Sequence, residues 1–192
     1  MTSAEPTTEP ITEPTAGTSA DPTTEPAVGT SAEPIAGGLA DLDFFHGTWA
    51  APGQFHQTPF NEPKPIEMTI IGSSRLSPHW LHMTSEEAAT PENAHLLRAT
   101  YVWGYDDATG TFTADWFDSN GGRARQTSPG WDGDVLVFTG TMTLHGATVP
   151  LRDTFTRFDD DHFHHVGEVD LGEGWLPVDE ENATRVPAGV ES

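Results

Sequence analysis

From residue 47 onward the chain is cut at short intervals by Gly, Asx and Pro, and the runs between the cuts are rich in Thr, Val, Ile and aromatic residues. This is the pattern of an all-β fold. Ten strands are predicted, at about 47–58, 65–72, 79–84, 97–105, 111–118, 123–128, 134–142, 148–158, 161–169 and 175–186. The hairpins are marked by Asp106 to Gly110, Asn120-Gly121-Gly122, Asp132-Gly133, His145-Gly146, Asp159-Asp160-Asp161 and Gly172-Glu173-Gly174, since Gly and Asx tolerate the positive φ of tight turns. Period-two alternation sorts the faces. Leu97, Ala99, Tyr101, Trp103 and Tyr105 share one side of a strand, predicted to be buried, and Arg98, Thr100, Val102 and Gly104 take the other. Across the next hairpin Phe112, Ala114, Trp116 and Asp118 share a face, and Val135, Val137 and Thr139 alternate with Leu136, Phe138 and Gly140, so both faces carry apolar groups there.

A continuous meander with short turns favours up-and-down closure over a sandwich, whose Greek-key connections need longer crossings. The predicted fold is a single closed or nearly closed antiparallel β-barrel of about ten strands. Ahead of it, Leu39 to Trp49 (LADLDFFHGTW) places a short apolar helical turn directly before a Gly-x-Trp that opens the first strand. A barrel of this kind has an interior that can hold a ligand.

Composition changes the picture at the N-terminus. Residues 1–38 repeat a loose unit, TSAEPTTEPITEPTAG, TSADPTTEPAVG and TSAEPIAGG, with six acidic residues and no aromatic, Lys or Arg. Such a segment cannot bury a core, and it reads as a disordered, partly polyproline tail. The barrel domain is then 39–192, a size at which roughly two thirds of the unfolded surface is buried on folding. The whole chain carries a net charge of −22, and −16 remains once the tail's six acids are set aside. That field argues against nucleic acid or an anionic membrane as partner and favours apolar, neutral or cationic small molecules. Residue 1 onward shows neither a basic n-region nor an apolar h-region, and no run approaches the ~20 apolar residues of a bilayer span. A cytoplasmic location is expected. The absence of Cys excludes disulfides, thiolate metal sites and cysteine nucleophiles. Oligomeric state is not legible.

Gly47-Thr48-Trp49 resembles the opening of the calycin superfamily, the lipocalins and fatty-acid-binding proteins, whose first strand follows a short helical turn. That resemblance implies that Arg185, in the last predicted strand, stacks across Trp49 as a plug at the closed end, a cation–π contact. The run Tyr101 to Asp106, with Asp118 to Gly122, Pro129 to Asp134 and Arg152 to Phe155, is similar to a bacterial lipocalin-like family of unknown function over nearly the whole domain. It implies a calycin-type barrel and supplies no activity. Nitrobindin, a ten-stranded haem barrel, is more distantly similar. Gly47 to Phe55 follows its glycine-rich opening only in part, and the C-terminal segment has no evident proximal His, so no cofactor is predicted and haem stands as an alternative.

The densest polar run is His162-Phe163-His164-His165-Val166-Gly167-Glu168, where alternation puts His162, His164 and Glu168 on one face and Phe163 and His165 on the other. Two histidines two apart can share a metal, but tetrahedral zinc needs a third ligand from elsewhere, such as His145, His56 or His82. Solvated surface histidines are the simpler reading, and no metal site is predicted. His56, and His79 and His82 around Trp80, fall near strand ends where a barrel mouth would be lined, and an imidazole there can orient a ligand or move a proton near neutral pH. Arg152-Asp153 sits mid-strand, so one of the two points inward and must be paired. An inward Arg152 would hold a ligand carboxylate, while Asp118 or Glu168 could serve as its structural partner. Tyr101, Trp103 and Trp116 form an aromatic stripe, core or lining according to how hollow the barrel is. No Gly-x-Ser-x-Gly, phosphate loop or calcium loop is present.

The expected function is therefore binding of a small, largely apolar molecule inside the barrel. Tyr101, Trp103 and Trp116 are expected to line it, and His56, His82 and Arg152 to fix its polar ends. Two alternatives stand beside it: a small barrel enzyme of isomerase or cyclase type working by one acid–base His on a hydrophobic metabolite, and haem binding. A His and a carboxylate converging inside the cavity with a shifted pKa would favour the enzyme.

Overall fold

The structure, a computed structural model, describes residues 38–59, 62–90 and 96–189. The predicted tail, Gly38 apart, lies outside them. A 3-10 turn, Leu39–Phe45, precedes eleven strands: β1 (Gly47–Phe55), β2 (Lys64–Ser77), β3 (Trp80–Glu87), β4 (Arg98–Asp106), β5 (Thr111–Asp118), β6 (Arg123–Ser128), β7 (Trp131–Asp132), β8 (Val135–Leu144), β9 (Ala147–Arg157), β10 (His162–Asp170) and β11 (Trp175–Arg185). β1 to β6 are successive antiparallel neighbours, β11 flanks β1 on its other side, and the sheet continues through β10 and β9 to β8. Pairing of β6 with β8 closes the ring. Ten strands thus make a closed antiparallel up-and-down barrel, and the two-residue β7 folds back on β8 through Gly133 at φ 60°. Among the described residues no helix is long and apolar enough to cross a membrane.

The strand positions follow the sequence pattern closely; β3 runs on to Glu87, three residues past its predicted end, and three other differences stand out. β7 is additional to the ten. β1 ends at Phe55, after which the His56 N–H continues to the Val178 carbonyl at 2.8 Å. β2 runs on to Ser77, because a register irregularity between Ser73 and Ser77 lets it pair with Trp80 beyond the turn residues that would have ended it.

Alternating burial is clean in β3, β6 and β10, as a barrel wall with a filled interior requires. The interior is packed unevenly along its axis. At the end where β1 begins, Leu42 and Phe45 of the 3-10 turn are fully buried and stopper the barrel. Phe45 meets Trp103 edge-on at 5.0 Å and Phe163 at 5.5 Å, and Trp103 packs on Phe138 at 4.7 Å. Burying each of these large side chains stabilises the fold by roughly 2–3 kcal/mol. Arg185 latches the stopper from outside. Its guanidinium lies 4.0 Å over the Trp49 ring and donates to the carbonyls of Phe44 at 2.9 Å and Asp160 at 2.8 Å.

This latch explains the glycine of the Gly-x-Trp. Gly47 has φ 109°, and a Cβ there would stand 3.1 Å from Arg185 Nη1. Gly72 has a related role, since a Cβ on it would fall 2.0 Å from the Phe45 carbonyl oxygen, where the turn runs against β2. At the other end the apolar packing is thinner: Ala124, Met142, Leu151 and Val169 form a second, smaller cluster, with Trp116, Val149 and Val178 against it.

Candidate functional site

The unfilled half of the barrel holds a cavity of about 180 Å³. Its walls are apolar, from Phe55, Met68, Leu97, Met142, Leu151 and Val178 together with the Trp116 ring. The hairpin residues Asn120, Leu144 and His145 border it, which places its mouth at the end opposite the stopper. One side is polar: Tyr101, Asp153, His165, Asp179 and Glu181 all line it.

Three adjacent strands build the polar side by register. His165 on β10 stands opposite Glu181 on β11 and Phe155 on β9. One pair further toward the mouth, Gly167 stands between Asp179 and Asp153. A bulge after Gly167 leaves Val178 as an extra residue on β11, so Val178 and Asp179 are consecutive and both line the cavity. Bulges re-aim side chains in this way. Gly167 supplies the space: a Cβ there would be 2.6 Å from Asp179 Oδ1 and 3.2 Å from Asp153 Oδ1.

His165 is engaged on every side. Its Nδ1 is 2.6 Å from Glu181 Oε2, its Nε2 is 3.2 Å from Asp153 Oδ1, and the Phe155 ring stacks on it at 4.6 Å. Asp153 also accepts a 2.7 Å hydrogen bond from Gln126 Nε2, and Asp179 Oδ2 is 3.7 Å from His165 Nδ1. Burial alone would pull the imidazole down. The charge of Glu181, hydrogen bonds to Asp153 and Glu181, and the charge of Asp153 outweigh it and hold His165 well above its ordinary range. This favours the imidazolium form, in which both ring nitrogens can donate to the carboxylates beside them. For Asp179, burial and then the charge of Glu181 push the carboxyl up to about 8, against the downward pull of His165. Burial, then the charges of Asp153, Glu181 and Asp179, raise the Tyr101 phenol well above its usual value, with a hydrogen bond to Trp116 opposing them.

Ligand atoms of His165, Asp179 and Glu181 lie within 4.8 Å of one another, close enough to share a cation. A metal there would have to displace the proton that the carboxylates favour on His165, because a ligating imidazole must offer a lone pair. What the arrangement provides as it stands is a desolvated, net negative surface with one carboxyl that keeps its proton near neutrality.

The residues singled out from sequence are distributed differently. Tyr101 and Trp116 line the cavity. Trp103 does not: it is part of the packed closed half, between Phe45 and Phe138. Arg152 lies on the outer face, because alternation turns Asp153 inward. There it pairs with Glu168 at 2.6 Å and covers the Trp175 ring at 4.5 Å. His82 alternates with the buried Leu81 and Met83, so it too faces outward, 2.8 Å from Thr100 Oγ1. His56, just past β1, sits beside Glu180 at 3.7 Å and is not in the cavity wall. His162 and His164 also face away, toward Asp159 at 2.8 Å and Glu180 at 4.0 Å. Trp49 and Arg185 are stacked at the closed end.

His165, Asp153, Asp179 and Glu181 were not singled out as site residues from the sequence. The signal for His165 was present: it shares a face with Phe163 and Val169, so an inward β10 face had to bury an imidazole and find partners for it.

No family model matches the chain, and no curated protein matches it. Fifteen solved chains match its fold. Among them is the crystal structure of Rv2717c from M. tuberculosis, with a TM-score of 0.63 and 16% sequence identity, covering 80% of this chain and 99% of that chain. At that identity the likeness is one of barrel fold.

Proposed function

We propose that this protein binds a small, largely apolar molecule in the open half of its barrel. The observation that supports the reading is the division of the interior: one half is filled by Trp and Phe side chains, and the other holds a cavity of about 180 Å³ with one apolar and one polar side. Apolar cavities of about 150 Å³ take up benzene, so a ligand of six to ten heavy atoms suits this one. The closed barrel, with Arg185 over Trp49 at its stoppered end, supports the calycin reading in the same way. The test is a tryptophan-fluorescence titration of the full chain with hexan-1-ol, a neutral probe of this size. Saturable binding that disappears in Leu151→Trp, which fills the cavity, supports the reading. Absence of saturable binding in the wild type overturns it.

One observation favours a second reading. His165 and three carboxylates converge inside the cavity, and Asp179 keeps its proton near neutral pH. That is the equipment of an acid–base enzyme of isomerase or cyclase type on a hydrophobic metabolite. Its test is exchange of the α-protons of hexan-2-one in D₂O, accelerated by the protein and lost in Asp179→Asn. Haem gains no support from His165, whose two nitrogens are both held by carboxylates.

A further inference from the structure

The polar side of the cavity has more negative groups than it has partners for them. Asp153, Asp179 and Glu181 surround His165, and among the described residues neither an Arg nor a Lys lines the cavity. The Arg152 that could have balanced the charge is turned outward onto Glu168. Asp179 relieves the excess by holding a proton. It is also the least enclosed of the three, 22% exposed against 14% for Asp153 and 9% for Glu181.

A second feature of the same cavity points to the same kind of ligand. Tyr101 and Trp116 line it with their ring centroids 6.4 Å apart and tilted, so two electron-rich aromatic rings border the space next to the carboxylates. Aromatic faces attract ammonium groups, more strongly where water is excluded. The overall charge of −22 favours cations over anions as partners of the chain.

Building on the cavity-binding reading above, we propose that the ligand is a small primary amine, its ammonium group set between Asp179 and Glu181 beside the Tyr101 and Trp116 rings and its hydrocarbon body in the apolar half. An entering ammonium takes the place of the proton on Asp179, so binding releases a proton to solvent below about pH 8. The charged and titratable groups around Asp179 are Glu181 on its own strand, His165 from β10, Asp153 from β9 and Tyr101 from β4. From β1 the residue opposite is Phe55, which is uncharged.

The experiment is calorimetric titration of the full chain with hexylamine and, separately, with hexan-1-ol. It is run at several pH values from 6 to 8.5 and in two buffers of different ionisation enthalpy. An alkylammonium stays charged over this range, as a lysine does. The expected result is that hexylamine binds at least about tenfold more tightly than hexan-1-ol at pH 8.5, the scale of one charge-assisted contact. Its affinity should rise up to about tenfold per pH unit before levelling above about pH 8, with close to one proton released at pH 7. Asp179→Asn, an isostere of the protonated acid, should abolish both the pH dependence and the proton release. The proton count is measured on the wild type and does not depend on that variant folding. If hexan-1-ol binds as tightly as hexylamine, the amine proposal is overturned and the cavity-binding reading stands. If the amine is preferred but no proton is released, the placement at Asp179 is overturned. If neither probe binds, both readings fall together.

Discussion

His165 and Glu181 stand directly opposite each other on β10 and β11 and share a 2.6 Å contact inside the barrel, where neither is more than a tenth exposed. The pair sets the electrostatics of the cavity, because it places a fixed positive charge between Glu181 and Asp153 and leaves Asp179 outside that balance. Stability should therefore depend on pH in a definite sense. His165 is raised above its unfolded value of about 6.5 and Asp179 above its unfolded value of about 3.9. Each therefore contributes stability that is fully present below its unfolded pKa and lost as pH rises through its folded pKa. Urea denaturation of the wild type should show stability falling between pH 5 and 9. Asp179→Asn should flatten that fall and gain at least about 1 kcal/mol over the wild type at pH 8.5, one pKa unit's worth. Equal pH dependence in both proteins would contradict the assignment.

Gly167 makes room for the two aspartates that flank it. Gly167→Ala should destabilise by about 1–3 kcal/mol, since its Cβ meets Asp179 Oδ1 at 2.6 Å. In an Asp179→Ala background the same change should cost much less. A double-mutant cycle by chemical denaturation measures this, and strict additivity would show that the two positions do not meet.

The Arg185 latch binds by shape as well as charge. Arg185→Lys keeps the charge but cannot reach the Phe44 and Asp160 carbonyls from one planar group while covering Trp49. A loss of roughly 2 kcal/mol is expected, with a change in Trp49 emission. A variant as stable as the wild type would show that the stopper holds without the latch.

At the mouth, Glu87 has a side chain only 2% exposed that accepts from Lys64 Nζ at 2.8 Å and from the Leu97 N–H at 3.0 Å. Glu87→Gln can keep the backbone contact but loses the ion pair. Because Lys64 is itself about a third exposed, the cost is expected near 1 kcal/mol, measured by thermal melts at low and high salt. No loss in either would show that the Lys64 pair adds nothing to the fold.

The strands and the stoppered end were legible in the sequence because their causes are local. Alternation, Gly and Asx turns and the Gly47-Thr48-Trp49 opening each act within a few residues. The site was legible only in part. Tyr101 and Trp116 showed as an inward aromatic stripe, but Trp103 on the same stripe lies one pair deeper, in the filled half, and alternation carries no information about depth. Arg152-Asp153 announced that one charge faces in without saying which, because the phase of a strand is set by the partners it packs against. Asp179 and Glu181 looked like two more acids in an acidic chain. Only the bulge at Val178 and pairing with β10 bring them to His165, and both depend on tertiary register.

The central claim is that a small molecule enters the open half of the barrel, and Met68 and Met142 report on it directly from the cavity wall. With ¹³C-methyl methionine in the full chain, the measurement is intermolecular NOEs from hexan-1-ol and hexylamine to the methionine methyls. The account predicts NOEs from both probes to Met68 and Met142. Saturable binding without NOEs to either methyl, or no binding at all, would contradict it.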